Sequence, residues 1–223
     1  MIAFAGRAAA AGAVLVLLSG CESVQTDDLK YFQILKQSIA HSFGGGGISR
    51  DQAAATPYAN LGYRLNGGPE TMLVLATDTN GQELWTSGSH VVFLTQNGRV
   101  IRTSGLPHDL AALTPIRGPS LPAPATALEG PSLNNLAADF PDIGSYSVPI
   151  ACRLAAKGQE TITILGQPIA TIRVDEDCES FKPAWRFRNS YWLDAQTKFV
   201  WRSLQHIHPK GDTLDIEILR PPG

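Results

Sequence analysis

Charge is scarce in this chain: only 17% of its 223 residues are Asp, Glu, Lys or Arg, and the formal net charge is -2. With no basic excess, neither a nucleic acid nor an anionic membrane surface is favoured as an electrostatic partner. Cysteine is scarcer still, at three residues, and no CxxC pair is present to seat a structural metal. The signatures of nucleophilic and phosphate chemistry are missing too. There is no G-x-S-x-G elbow, and Ser87-Gly88-Ser89-His90 reads as a turn into a strand. The glycine run at 44–47 lacks the Lys-Ser/Thr of a phosphate loop. The N-terminal apolar run ends at Leu18 and is shorter than the roughly 20 residues that cross a bilayer. No second apolar segment is long enough either, so the body of the protein reads as soluble.

That short apolar run is the most informative segment present. Arg7 precedes an apolar block at 8–18, and the block ends in Leu18-Ser19-Gly20-Cys21. Branched apolar, small, small, cysteine at the end of an h-region is the form of a bacterial lipobox. The mature protein is therefore expected to start at Cys21, carrying diacylglycerol and a further acyl chain such as palmitate. Several chains on one residue anchor firmly, where a single chain binds only marginally. Residues 1–20 read as the signal peptide, 21–28 as a lipidated tether and 29–223 as one domain. Glu22 follows the cysteine. In bacteria where an aspartate there retains lipoproteins at the inner membrane, a glutamate leaves export to the outer membrane as the default.

With Cys21 used by lipid, Cys152 and Cys178 remain, and an oxidising compartment favours pairing them. Closing that loop stabilises by about 3–4 kcal/mol in the chain-entropy model.

The counts of Gly (21) and Pro (15), with many β-branched and aromatic runs, favour a mainly β domain, either an antiparallel barrel or a sandwich. Short helices are expected at its N-terminal side. One covers 26–41, where apolar residues recur at helical spacing. A second starts after Ser49 and ends before Pro57, since the residue ahead of a proline disfavours the helical region. Strands are expected at 71–77, 83–86, 91–95, 99–103, 146–154, 161–165, 169–177, 185–193, 199–206 and 213–219. Asn80-Gly81 reads as a turn. Asn97-Gly98 between two strand-like runs is the strongest hairpin signal, because both central residues need positive φ. Residues 107–113 are expected to form one helical turn, and 116–131, rich in Pro, Gly and Ala, a surface loop.

Three constellations bear on chemistry. His206 and His208 leave one face of a strand, but no third ligand lies at a recognisable spacing. They read as a wet strand face running into the turn at Pro209-Lys210-Gly211. Asp175, Glu176, Asp177 and Glu179 crowd around Cys178. Paired carboxylates can cleave glycosides or ligate calcium, yet the run lacks the spaced calcium-loop pattern and reads as a solvated turn. Neither argues for an enzyme. The third is more suggestive: alternation puts Trp185 and Phe187 on one strand face and Arg186 and Arg188 on the other, with Trp201-Arg202 on the next strand. The simpler reading is a core-facing aromatic row backed by a wet arginine row. The functional reading is that Arg186, Arg188 and Arg202, with Tyr191 or Trp192 nearby, meet an acidic saccharide or a protein partner.

Several stretches are similar to the YjbF/GfcB family of bacterial lipoproteins, associated with exopolysaccharide and group 4 capsule production. They are Thr56-Pro-Tyr-Ala-Asn60, Gly81-Gln-Glu-Leu-Trp85, the run from Leu94 through Thr-Gln-Asn-Gly-Arg to Leu106, Tyr191-Trp-Leu-Asp-Ala-Gln-Thr197 and Val200-Trp-Arg-Ser-Leu-Gln205. The resemblance implies a β-barrel-like outer-membrane lipoprotein acting in polysaccharide secretion or assembly. It implies as partners an outer-membrane β-barrel protein and a second periplasmic protein. It carries over no catalytic residue and no cofactor.

Overall fold

The computed structural model describes residues 47–117 and 121–223. Cys21, Glu22, the signal-type segment and the helix expected at 26–41 lie outside the described residues. The second expected helix is present as α1 (Arg50–Ala55). Ser49 caps it and Gln52 completes a capping box. The chain leaves it through Thr56, as the following proline requires.

Twelve strands follow: β1 (Asn60–Leu65), β2 (Thr71–Thr79), β3 (Gln82–Thr86), β4 (Val92–Gln96), β5 (Arg99–Ser104), β6 (Ala112–Pro115), β7 (Ser132–Phe140), β8 (Ser145–Ile164), β9 (Gln167–Phe181), β10 (Ala184–Asp194), β11 (Val200–His206) and β12 (Thr213–Arg220). They form one sheet in the order β5-β4-β3-β2-β1-β12-β11-β10-β9-β8-β7-β6, antiparallel throughout. The sheet curls until its two ends meet. The Thr103 amide donates to the Leu110 carbonyl at 2.8 Å, and Arg102 Nε donates to the Ala111 carbonyl at 2.8 Å. The fold is thus a nearly closed barrel, and the sandwich alternative falls away.

Local chemistry accounts for the turns. Asn80-Gly81 and Asn97-Gly98 all have positive φ, as a two-residue hairpin turn demands. Gly98 also has a packing reason, because a Cβ there would lie 2.5 Å from Val200 Cβ. At 107–113 no helical turn forms. Instead the Asp109 carboxylate accepts hydrogen bonds from Thr103 Oγ1 and from the amides of Gly105 and Leu106, folding the β5–β6 connection around one side chain.

Three strands escape the sequence pattern: β1, β7 and β6, the last overlapping the helical turn expected at 107–113. β1 pairs with both β2 and β12, so it joins the first meander to the last and makes one barrel of two sheets. β7 pairs with β6 and β8. The strands expected at 146–154 and 161–165 are one long β8, interrupted only by a bulge near Gly158.

The barrel interior is filled. Leu61, Trp85, Phe93, Phe140 and Leu214 are fully buried within it. Gln205 on β11 reaches across to β5, donating to the Gly98 carbonyl and accepting from the Val100 amide. The outer wall carries ion pairs, among them Arg188–Asp177 and Arg202–Asp215. In the connection expected to be only a surface loop, a short 3-10 helix at Pro124–Leu128 covers one barrel end, with Ala127 packed on Leu154, Val174, Tyr191 and Leu193. The tip of the β8–β9 hairpin folds back so that Ile162 and Ile164 cover Trp192. No helix among the described residues is long and apolar enough to cross a membrane.

Candidate functional site

On β10, Arg186 and Arg188 point outward, while Trp185, Phe187, Asn189 and Tyr191 point in. The outward arginines are not free. Arg186 lies 3.4 Å from Glu179, and Arg188 Nε donates to Asp177 at 2.6 Å. Arg202 forks onto both oxygens of Asp215 at 2.9 and 2.7 Å and stacks 5.1 Å above the Trp192 ring. Behind them, Arg173 Nε donates to Asp175 at 2.8 Å. An acidic saccharide on this wall would have to displace a carboxylate at each arginine. Tyr191 cannot join such a surface. It is fully buried and turned into the barrel, because it shares strand parity with Trp185 and Phe187.

The acidic run is no solvated turn. It lies in mid-strand on β9, with Asp177 exposed on the outer wall and Glu176 wholly buried inside. Arg99 at the start of β5 reaches it through two hydrogen bonds, 2.6 and 2.8 Å long. Asn189 and Tyr191 donate to the same carboxylate, and the Arg99 guanidinium lies 5.4 Å from the Tyr191 ring. Burial alone would raise the Glu176 pKa, but the guanidinium and these hydrogen bonds bring it below its ordinary value. Burial pushes the Tyr191 hydroxyl up, so it stays a neutral donor. The cluster staples β5 to β9 and β10 through the barrel. Beside it Cys152 and Cys178, directly opposite in the β8–β9 register, form a disulfide.

The histidine reading also changes. His208 is wholly buried, and the fold brings it to His108 and Asp142, neither of which the spacing suggested. The Lys210 amide donates to His208 Nδ1 at 3.1 Å. In the neutral ring, which burial favours, the proton is therefore assigned to Nε2, which donates to Asp142 Oδ1 at 2.9 Å. His108 Nδ1 and Lys210 Nζ bond Asp142 Oδ2 at 2.9 and 3.1 Å. The nitrogen that faces the cluster is thus a donor and not a lone pair, which suits a carboxylate latch better than a metal seat. Burial raises the Asp142 pKa, but the bonds from Lys210, His108 and His208 overcome it and hold the carboxyl at about 2. The latch ties together the connections β5–β6, β7–β8 and β11–β12 at one barrel end.

The opposite end holds a cavity of about 350 Å³. Its floor is apolar, from Leu61, Trp85 and Ile216, and residues 123–125 at the start of the 3-10 helix form one wall. Phe199 and Trp201, edge to face at 5.0 Å and each half-buried, form another. Glu83 enters from β3, held by a relay in which the Trp85 indole donates to Thr95 Oγ1 and that hydroxyl donates to Glu83 Oε2. Burial raises the Glu83 pKa, the Thr95 bond opposes this and nearby Asp78 adds to it. Asn97 and Lys198 stand at the rim. Sequence reading passed over this site because its walls come from β3, β4, β11 and the 116–131 connection, far apart in the chain.

An inward-filled, outward-charged antiparallel barrel with a cross-strand disulfide defines the class, a globular β-barrel domain of envelope type. Comparison with known proteins narrows it. Residues 45–219 match the family described as YjbF, the group 4 capsule polysaccharide lipoprotein gfcB, and the chain belongs to that family. It is 24% identical over 174 residues to the lipoprotein GfcB of Escherichia coli K12, covering 78% of this chain and 81% of that one. It is 28% identical over 160 residues to the lipoprotein YjbF of the same organism, covering 69% and 73%. The crystal structure of the hypothetical lipoprotein YmcC from Escherichia coli K12 has the same fold, with a TM-score of 0.68 at 22% identity, covering 87% of this chain and 96% of that one.

Proposed function

We propose that this protein is a non-enzymatic accessory lipoprotein of exopolysaccharide or capsule secretion, held at the outer membrane through Cys21 with its barrel in the periplasm. The observation that carries this reading is the family match over residues 45–219, whose family description joins a lipoprotein to a capsule polysaccharide. The lipobox supplies the anchor. Two of the carboxylates singled out support a structural role: buried Glu176 is consumed by Arg99, and exposed Asp142 by the latch, so neither is poised for acid–base work. The outer wall offers charge pairs through which an outer-membrane β-barrel protein and a periplasmic protein of the secretion system would dock.

Deleting the gene should lower surface or secreted polysaccharide, and the wild-type gene should restore it while Cys21→Ala should not. Unchanged polysaccharide after deletion would overturn the proposal. Full rescue by the unlipidated form would remove the anchor from it. In-cell crosslinking of the lipidated protein should recover an outer-membrane β-barrel protein.

A further inference from the structure

Resting on that reading and sharpening it, we infer that the cavity at the barrel mouth, and not the arginine wall, is where this protein meets saccharide, and that its ligand is an uncharged, hydroxyl-rich stretch of the chain. The volume of about 350 Å³ falls at the small end of the usual range for small-molecule sites, and barrel mouths are a common place for them. It suits a short stretch of sugar whose continuation runs out past the rim.

The chemistry of the walls selects the class. A pyranose has an apolar face of C–H groups and an edge of hydroxyls. Phe199 and Trp201 offer half-buried aromatic surface to the first. Glu83 offers an acceptor to the second. Thr95 takes one lone-pair site of a carboxylate that has about four, and it fixes the rotamer, so the remaining sites are aimed in advance. Asn97, which can both donate and accept, stands at the rim.

An acyl chain would match the apolar floor but would cover Glu83 without giving it a hydrogen bond, which is costly. An acidic sugar would set its carboxylate against Glu83, and the two cations that line the cavity are already engaged, Lys198 with the Ala195 carbonyl and Arg202 with Asp215. On the outer wall the opposite problem holds, since Arg186, Arg188 and Arg202 already face carboxylates. A neutral sugar satisfies every wall of the cavity.

The test uses the full lipidated chain in a detergent without a sugar headgroup. The probe is a size-fractionated set of oligosaccharides made by partial acid hydrolysis of the producing cell's own exopolysaccharide, separated into neutral and acidic pools. Tryptophan fluorescence reads occupancy, because Trp85 and Trp201 line the cavity. The neutral pool should bind. Glu83→Gln, which keeps the shape, should weaken binding roughly tenfold or more, and Trp201→Ala should do the same. Ala123→Trp, which fills the mouth from a half-buried wall position, should abolish binding and keeps the test informative if Trp201→Ala misfolds. Arg186→Ala with Arg188→Ala should leave the affinity unchanged. The inference is overturned if neither pool binds, if only the acidic pool binds and loses its affinity with the two arginines, or if palmitate binds and displaces the sugar. None of these outcomes bears on the polysaccharide phenotype of gene deletion, so the accessory role and the cavity fail separately.

Discussion

Replacing Glu176 by glutamine should be among the most damaging conservative changes available in this barrel. The side chains of Arg99 and Glu176 are 2% and 0% exposed, and their two hydrogen bonds join β5 to β9 across the interior. The glutamine keeps the volume but leaves a guanidinium without its counter-charge in a place water does not reach. Removing one partner of a buried pair costs about 3–5 kcal/mol. For a domain of this size each kcal/mol moves the melting temperature by about 2–4 °C, so a fall of roughly 6–20 °C is expected. Thermal and urea unfolding followed by circular dichroism measure it. The apolar double variant Arg99→Met with Glu176→Leu should recover much of the loss, because the uncompensated charge goes with the pair.

The pH dependence follows the same logic. The folded pKa of Glu176 lies below its ordinary 4.5. Its contribution is therefore complete above that value and is lost as pH falls through the lower, folded one. Glu176→Gln should flatten that part of the acid limb. A fall in melting temperature under about 2 °C, equivalent to less than 1 kcal/mol, or a double variant as unstable as the single one, would refute the reasoning.

Other outcomes follow from the same structure. Reducing the Cys152–Cys178 bond, or replacing both residues by alanine, should cost about 3–4 kcal/mol for a 26-residue separation, read as a lower urea midpoint. Tyr191→Phe removes a 3.2 Å hydrogen bond to the Glu176 carboxylate and should cost about 1.5–3 kcal/mol, although the tyrosine lies on no surface. Asp142→Asn should loosen one barrel end, seen as faster amide exchange in residues 105–111 and 207–212 with little change in the central strands. Because Asp142 is held at about 2, below its ordinary 3.8, that protection should be complete above pH 3.8 in the wild type and fade as pH falls toward 2. Arg186→Ala should shift stability by less than about 1 kcal/mol, as an exposed ion pair allows.

Much of this was legible in the residues, and where it was not, the reason is physical. Asn80-Gly81 and Asn97-Gly98 announce their turns because positive φ is a local demand. The inward aromatics of β10 follow from period-two alternation, and the same parity already places Tyr191 with Trp185 and Phe187 on the inward face. Glu176 could have been found likewise. Within the acidic run it alone shares a face with Val174 and Cys178, while Asp175, Asp177 and Glu179 take the other. An acid on an apolar face signals a buried partner, although nothing local says which.

The sequence by itself determined the turn chemistry and the alternation of most strands, because each of these depends on a few neighbouring residues, and its cysteine count already favoured the Cys152–Cys178 pair. Only the tertiary structure decided that β1 would close two meanders into one barrel, that Arg99 would meet Glu176 from 77 residues away, that three separate connections would share Asp142, and that Glu83, Phe199 and Trp201 would face one cavity. These are contacts between distant segments. Their energy depends on the burial and low dielectric that exist only once the barrel has closed, so no local pattern in the chain records them.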